Sequence, residues 1–209
     1  MPATPAEAAN SRAGDKAMSV QKAKSVRVNR RSFTVAEYER MGQFGIFSED
    51  DRVELVCGEI LDMSPIGERH VACVDFLTQF ITLRLRRRAI VRVQSPVGLD
   101  ERSQPQPDIA VLKPRDDFYR HAHPKPGDVL LVIEVSDTTL EYDRRVKVPL
   151  YAGAGIPEAW LVSLPQERVE VYSDPSGGEY RAVRSYARGQ RLQSHTLAPL
   201  RLSVSKVFG

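Results

Sequence analysis

Two carboxylates, a lysine and a histidine are the side chains of this sequence whose types and positions can do chemistry: Asp108, Glu134, Lys147 and His70. Glu134 lies within an apolar run, Val129 to Val135, that is otherwise typical of a buried strand. An ionised carboxylate in such a place is costly unless a partner neutralises it. The partner is either a basic side chain or a bound cation.

Asp108 opens the predicted strand that precedes the strand carrying Glu134. Side chains alternate along a strand, so Glu134 shares a face with Val132 and Leu130. If Asp108 faces the same way, the two carboxylates converge on one point. Two carboxylates and a backbone carbonyl, completed by water, are the ligands that Mg²⁺ or Mn²⁺ prefers.

Lys147 is the candidate for a positive charge beside an attacking water, which hydrolysis of a phosphodiester needs. An extended chain from Glu134 to Thr138 advances roughly 13 Å. A helix from Thr138 to Lys147 covers roughly 13 Å as well. If this helix packs antiparallel to the strand, Lys147 returns to the level of Glu134.

Each of these residues also has a purely structural interpretation. Asp108 can be a turn residue, and Glu134 can be neutralised by an arginine. Lys147 can pair with Asp143, four residues before it on the same helix. His70 can be a core histidine with satisfied hydrogen bonds. A single bound cation, however, explains both carboxylates at once.

Three helices are predicted to surround these residues. Thr34 and Glu37 form a capping box that begins a helix ending near residue 41. A second helix covers about residues 67–88, with His70 on its inward face near the start. The third begins with a capping box at Thr138 and ends near residue 152. Pro149 predicts a kink near residue 145 in this helix.

The remaining pattern predicts a β-hairpin over residues 52–63 and short strands that form one sheet with helices on both faces. The inward stripe of the second helix is Val74, Leu77, Ile81 and Leu85. The predicted strands are 90–95, 108–112, 128–135, 158–164, 168–173 and 180–186.

Charge and composition separate a basic tail from a nearly neutral body. Residues 1–31 hold seven of the 30 Lys and Arg and two of the 27 Asp and Glu, so the rest of the chain has a net charge of −2. We predict that this tail is disordered, that residues 32–209 form a single domain, and that translation starts at Met1 or Met18. No apolar run approaches 18 residues, a secretory signal is not expected from the first 30 residues, and Cys57 and Cys73 fit a reducing cytoplasm.

Several motifs resemble a known family. The segments QPD, ending at Asp108, and VIEVS, with Glu134 at its centre, resemble the PD-(D/E)XK nuclease superfamily. A wider set is similar to the Uma-two family of restriction-endonuclease-like proteins over about residues 32–208. This set comprises RVELVCGEILDMSP, the following His70, SPVGLD, PQPDIAV, LVIEVSDTTLEYDRRVK and YAGAGIPEAWLV.

The resemblance implies an α/β (α+β) fold with a restriction-endonuclease-like core. Its mixed central sheet is flanked by helices, with an N-terminal helix and hairpin and extra C-terminal strands. Asp108, Glu134 and the carbonyl of Val135 are then ligands of Mg²⁺ or Mn²⁺. In the superfamily, a lysine follows the glutamate by two residues. This sequence has Ser136 at that position, and the resemblance implies that Lys147 takes the role of that lysine. His70 replaces an acidic residue of the first core helix and can contact a metal-bound water or a phosphate.

The expected function is metal-dependent hydrolysis of DNA phosphodiester bonds by a cytoplasmic endonuclease. A homodimer would suit a duplex substrate. The alternative is a nuclease-like fold with little or no catalysis that binds nucleic acid or protein. It is favoured by Ser136 at the position of the superfamily's lysine and by the nearly neutral body, in which only Arg84 to Arg88 form a basic run, one more typical of a helix end than of a groove contact. A metal-free pair between Glu134 and an arginine is a third interpretation, and it leaves the function open.

Overall fold

The structure, a computed structural model, describes residues 30–48 and 50–209. Residues Ser32–Gly209 form one compact unit. The predicted disorder of the tail concerns residues that lie, except for the last two, outside the described part of the chain. Within the described ranges, no helix has the length and apolar character needed to cross a membrane.

The described residues form a six-stranded mixed sheet in the order β3-β4-β5-β6-β7-β8. Strands β5 and β6 are parallel, and the other neighbours are antiparallel. The bounds are β3 Ile90–Val93, β4 Ile109–Leu112, β5 Val129–Ser136, β6 Glu158–Ser163, β7 Arg168–Ser176 and β8 Glu179–Ala187. The predicted mixed sheet with flanking helices is confirmed.

The first two helices form where the sequence predicts them. Helix α1, Val35–Gln43, has the predicted capping box, in which Glu37 N–H donates to Thr34 Oγ1 at 3.2 Å and Thr34 N–H donates to Glu37 Oε2 at 2.9 Å. Helix α2 is Glu68–Leu85 and continues into a 3₁₀ turn at Arg86–Arg88. The predicted stripe of apolar residues on α2 is buried.

Two small antiparallel pairs complete the strands. Strands β1 (Val53–Val56) and β2 (Glu59–Asp62) form the predicted hairpin, and β9 (Arg191–Gln193) pairs with β10 (Arg201–Ser203). The hairpin turn has positive φ at both central residues, 52° at Cys57 and 79° at Gly58. This is the geometry of a type I′ turn, whose twist matches that of the strands.

The third predicted helix differs from the expectation at its start. Helix α3 is Leu140–Tyr142, with Thr139 at the N-cap position and no side-chain capping bond. The predicted capping box at Thr138 is therefore wrong. The hydroxyl of Thr139 instead donates to Asp143 Oδ2 at 2.6 Å, inside the helix.

The helix then widens ahead of its proline. Asp143–Lys147 form a π-helical turn, closed by a hydrogen bond from Val148 N–H to Asp143 O, and α4 follows as Val148–Gly153. Pro149 has no N–H to give to the carbonyl four residues earlier, so the α-helical pattern cannot continue there. The predicted irregularity occurs, as a π-helical turn.

Each face of the sheet has its own core. Helix α2 covers one face through Leu77 and Ile81, which cluster with Ile133. Helix α4 covers the other face through Tyr151, which clusters with Val132.

One residue of β5 lies on the face opposite to the predicted one. Glu134, Val132 and Leu130 were predicted to share one face of the sheet. Val132 lies on the α4 side, whereas Leu130 packs against the core on the α2 side. The register with β4 shifts between Val111 and Leu112, and this irregularity interrupts the simple alternation.

Candidate active site

A cavity of about 550 Å³ opens where β4 begins and β5 ends. The hairpin β1–β2 and the loop that follows it form one side, and the start of α3 and the π-helical turn form the other. The predicted site residues all line it: His70, Asp108, Glu134, Val135 and Lys147.

Asp108 is held from three directions. Its Oδ2 accepts a hydrogen bond from Val135 N–H at 2.8 Å and lies 3.0 Å from Nε2 of His70. Its Oδ1 accepts from Gln94 Nε2 at 3.3 Å. The carboxylate is therefore fixed at the end of β5.

The sheet register brings the two predicted carboxylates to adjacent strands. Ile109 pairs with Ile133, and extending this antiparallel register by one residue sets Asp108 opposite Glu134. The N–H of Val135 points to Asp108, and the two backbone groups of a strand residue point to the same side. The carbonyl of Val135 therefore lies on the Asp108 side of β5.

Lys147 lies between two buried carboxylates. Its Nζ is 3.3 Å from Glu134 Oε1 and 3.1 Å from Glu54 Oε2. Tyr151, one turn further along, donates its hydroxyl hydrogen to Glu134 Oε1 at 2.5 Å. The length of chain from Glu134 to Lys147 predicted that the two residues lie at the same level, and in the structure their side chains are in direct contact.

Burial determines the protonation of this group of side chains. It raises the pKa of Glu134 to about 8, and the nearby Lys147 opposes this rise only in part. For Lys147, burial alone lowers the pKa, but the carboxylates of Glu134 and Glu54 outweigh it and raise the pKa above its ordinary value. The lysine stays charged at neutral pH, and Glu134 exchanges its proton near neutral pH.

Two of the structural alternatives do not occur among the described residues. Asp143 makes hydrogen bonds with the hydroxyls of Ser136 and Thr139, at 2.7 and 2.6 Å, and does not pair with Lys147. The ion pair of Glu134 is with Lys147 and not with an arginine. The hydroxyl of Ser136 thus contacts the π-helical turn through Asp143.

His70 contacts Asp108 and leaves its other nitrogen without a partner. Its Nδ1 is buried and has no hydrogen bond within the described part of the chain. Among the described residues, the ring of His70 thus has one hydrogen-bonding contact, through Nε2. The contact through Nε2 makes His70 a residue that positions the Asp108 carboxylate.

The sequence interpretation missed Glu54, which is only 4% exposed and accepts a hydrogen bond from Gln106 N–H at 3.0 Å. It alternates with apolar neighbours in β1, a pattern that usually indicates a solvent-facing side chain. Tyr151 and Gln94 were missed as well, because neither has a spacing signal. The only sequence signal for Glu54 is that, like Glu134, it is a carboxylate in an apolar strand.

The predicted metal ligands of the pocket are all oxygen atoms, the ligand type that a hard divalent cation prefers. The hydrogen bond and the ion pair of Glu134 both use Oε1, so Oε2 has no partner within the described residues. Residues 30–48 and 50–209 contain no group of three or more His, Cys, Asp or Glu side chains that could hold a metal ion. Asp108, Glu134 and the Val135 carbonyl form a smaller oxygen set, which suits Mg²⁺ or Mn²⁺ with water completing the shell.

The comparisons with known proteins agree with this architecture. A crystal structure of a putative nuclease belonging to DUF820 from Anabaena variabilis ATCC 29413 is similar at a TM-score of 0.66 and 16% identity, over 84% of this chain and 97% of that one. This likeness shows a common fold. A search of curated proteins gave no match. The family model Uma2, described as “Putative restriction endonuclease”, matches residues 35–205. The chain belongs to the Uma2 family and has its nuclease-like fold.

Proposed function

We propose that this protein is a metal-dependent endonuclease that hydrolyses DNA phosphodiester bonds. The observation that carries the proposal is the contact of Lys147 with Glu134 in a pocket that Asp108 also lines. Membership of a family described as “Putative restriction endonuclease” supports DNA as the substrate.

Asp108, Glu134 and the carbonyl of Val135 would hold Mg²⁺ or Mn²⁺. A bound divalent cation supplies Lewis acidity to a phosphodiester and lowers the pKa of its water ligands. Because the pKa of Glu134 is about 8 in the absence of metal, cation binding at neutral pH releases a proton from this carboxyl group. Metal affinity is therefore expected to increase as the pH rises from 6 to 8.

The chain's own residues have separate tasks. Lys147 keeps its proton, so its task is to orient a water or a phosphate oxygen and to stabilise developing negative charge, and it does not act as a general base. His70 holds the carboxylate of Asp108 in place. Glu54 keeps the ammonium group of Lys147 charged and directed toward Glu134.

The test is cleavage of long, mixed-sequence DNA, methylated and unmethylated, in Mg²⁺ or Mn²⁺. The parent protein is expected to cleave this DNA. Asp108→Asn removes one charged ligand, and the variant is expected not to cleave it. Asp75→Asn is a matched control, because Asp75 is exposed on α2 and does not line the pocket, and it should cleave normally.

The alternative function is binding without catalysis. It is favoured by the lysine's contact with two carboxylates, which reduces its availability to a phosphate. A folded parent protein that binds DNA but cleaves none of the substrates with either metal would support this alternative and contradict the nuclease proposal.

A further inference from the structure

The end of the sheet opposite the pocket brings together two segments that are distant in sequence. Ile90 pairs with Leu112, and Leu112 pairs with Val129. Residues 84–89, which precede β3, and the β4–β5 loop, residues 113–128, therefore lie at the same end of the sheet. From Glu134 to Val129 along β5, this end is about 17 Å from the pocket.

These two segments carry a concentrated positive charge. Residues 84–89 contain four arginines and no acidic residue, and residues 113–128 contain four basic and three acidic residues, so together they have a net charge of +5. Residues 32–209 contain 23 basic and 25 acidic residues, a net of −2, so the rest of this unit has a net charge of −7. The exposed basic residues are Arg84, Arg86, Arg87, Arg88, Lys113, Arg115, Arg120 and Lys125.

Stacked side chains hold the β4–β5 loop against β3. Arg92 donates to the carbonyl of Phe118 at 2.8 Å. The guanidinium groups of Arg92 and Arg115 lie 5.6 and 4.3 Å from the ring centroid of Tyr119, whose hydroxyl donates to Lys113 O at 2.9 Å. These contacts hold the charged loop against β3.

The loop backbone exposes an aromatic ring among these charges. Phe118 and Tyr119 have φ values of 50° and 56°, a region that L-residues rarely adopt. This turn buries Tyr119 and leaves Phe118 65% exposed. An exposed aromatic ring beside arginines is the combination that binds unpaired bases and their phosphates.

We propose that this basic end of the sheet is a binding surface for single-stranded DNA, separate from the active-site pocket. The arginines and lysines contact phosphates, and Phe118 stacks on a base. The neighbouring groove of about 930 Å³ is lined by acidic residues, Glu39, Asp100 and Glu101, and by basic ones, Arg92, Arg120 and Lys125, so the basic surface continues into one side of this groove.

The experiment measures binding without cleavage, so that its outcome is independent of the proposed nuclease activity. Fluorescein-labelled dT20 is titrated by anisotropy with the full chain carrying Asp108→Asn, in EDTA, over a range of salt concentrations. Arg87→Ala combined with Arg120→Ala removes two exposed charges whose side chains have no hydrogen bond or ion pair within residues 30–48 and 50–209. The matched control is Arg181→Ala combined with Arg201→Ala, at exposed positions on β8 and β10.

The expected results are quantitative. The logarithm of the affinity falls as the logarithm of the salt concentration rises. Loss of two phosphate contacts reduces the steepness of this fall by about 1.4. Phe118→Ala weakens binding of dT20 at least about fivefold and leaves duplex DNA binding unchanged. Unchanged affinity and slope in the Arg87/Arg120 variant, or an equal change in the Arg181/Arg201 control, would overturn the proposal. Equal effects of Phe118→Ala on single-stranded and duplex DNA would overturn the stacking.

Discussion

Replacing Glu134 by glutamine tests the electrostatics of the pocket without any activity assay. The substitution keeps the size of the side chain and an oxygen that accepts from Tyr151, but it removes the titration. Burial raises the pKa of Glu134 from 4.5 to about 8. The folded protein therefore keeps a proton that the unfolded chain releases between these two pH values.

The sign of the effect follows from this raised pKa. Below pH 4.5, Glu134 is protonated in both the folded and the unfolded state, and the folded state has its full stability. Between pH 4.5 and about 8, only the unfolded chain ionises, which stabilises the unfolded state and lowers the free energy of unfolding. The gap between 4.5 and about 8 corresponds to roughly 4 to 5 kcal/mol, at about 1.4 kcal/mol per pH unit. The parent protein loses this amount, and Glu134→Gln does not.

The assay is urea-induced unfolding of both proteins in EDTA at pH 5 and pH 8.5. The two free energies of unfolding are expected to be similar at pH 5, and the glutamine variant to be more stable by about 4 kcal/mol at pH 8.5. Comparing the two proteins removes the contribution of all other titrating groups. If the difference between them is the same at both pH values, Glu134 has an ordinary pKa and the reasoning is wrong.

Three further substitutions test other contacts. Lys147→Met leaves Glu54 and Glu134 buried without their cation, and we expect it to lower the free energy of unfolding by about 3 to 5 kcal/mol at pH 8.5. The loss should be smaller at pH 6, where Glu134 is protonated. Equal losses in urea unfolding at the two pH values would argue against this. Gly58→Ala should lower the melting temperature, since a Cβ there lies 1.9 Å from Ser32 Oγ at a φ of +79°, and an unchanged temperature would mean that the hairpin turn is not built this way. Thr34→Ala removes the α1 cap and should cost about 1 kcal/mol in urea unfolding, whereas Thr34→Ser should restore most of it.

Much of the fold follows from local sequence signals. The capping box of Thr34, the apolar stripe of α2 and the apolar run of β5 each specify their element through nearby residues alone, and each forms as predicted. Glu134 was identified by the same means, because a carboxylate inside an apolar run conflicts with its neighbours. The length argument for Lys147 worked because a strand and the helix that follows it pack antiparallel.

What the sequence did not reveal depends on contacts between distant segments. Glu54 alternates with apolar residues, and its burial depends on docking of the hairpin against Gln106 and Lys147. An irregularity before Pro149 was predicted, but its form as a π-helical turn was not, nor were the hydrogen bonds of Asp143 to the hydroxyls of Ser136 and Thr139 that replace the predicted capping box.

The position of Glu54 on a hairpin outside the central sheet makes the pocket depend on a long-range contact. Glu54 and Lys147 are 93 positions apart in the chain, and their contact closes a loop that includes β3, β4 and β5. Closing so long a loop costs conformational entropy, which packing of the hairpin must offset. A change that loosens the hairpin would therefore take a carboxylate away from Lys147 without altering any residue of the central sheet.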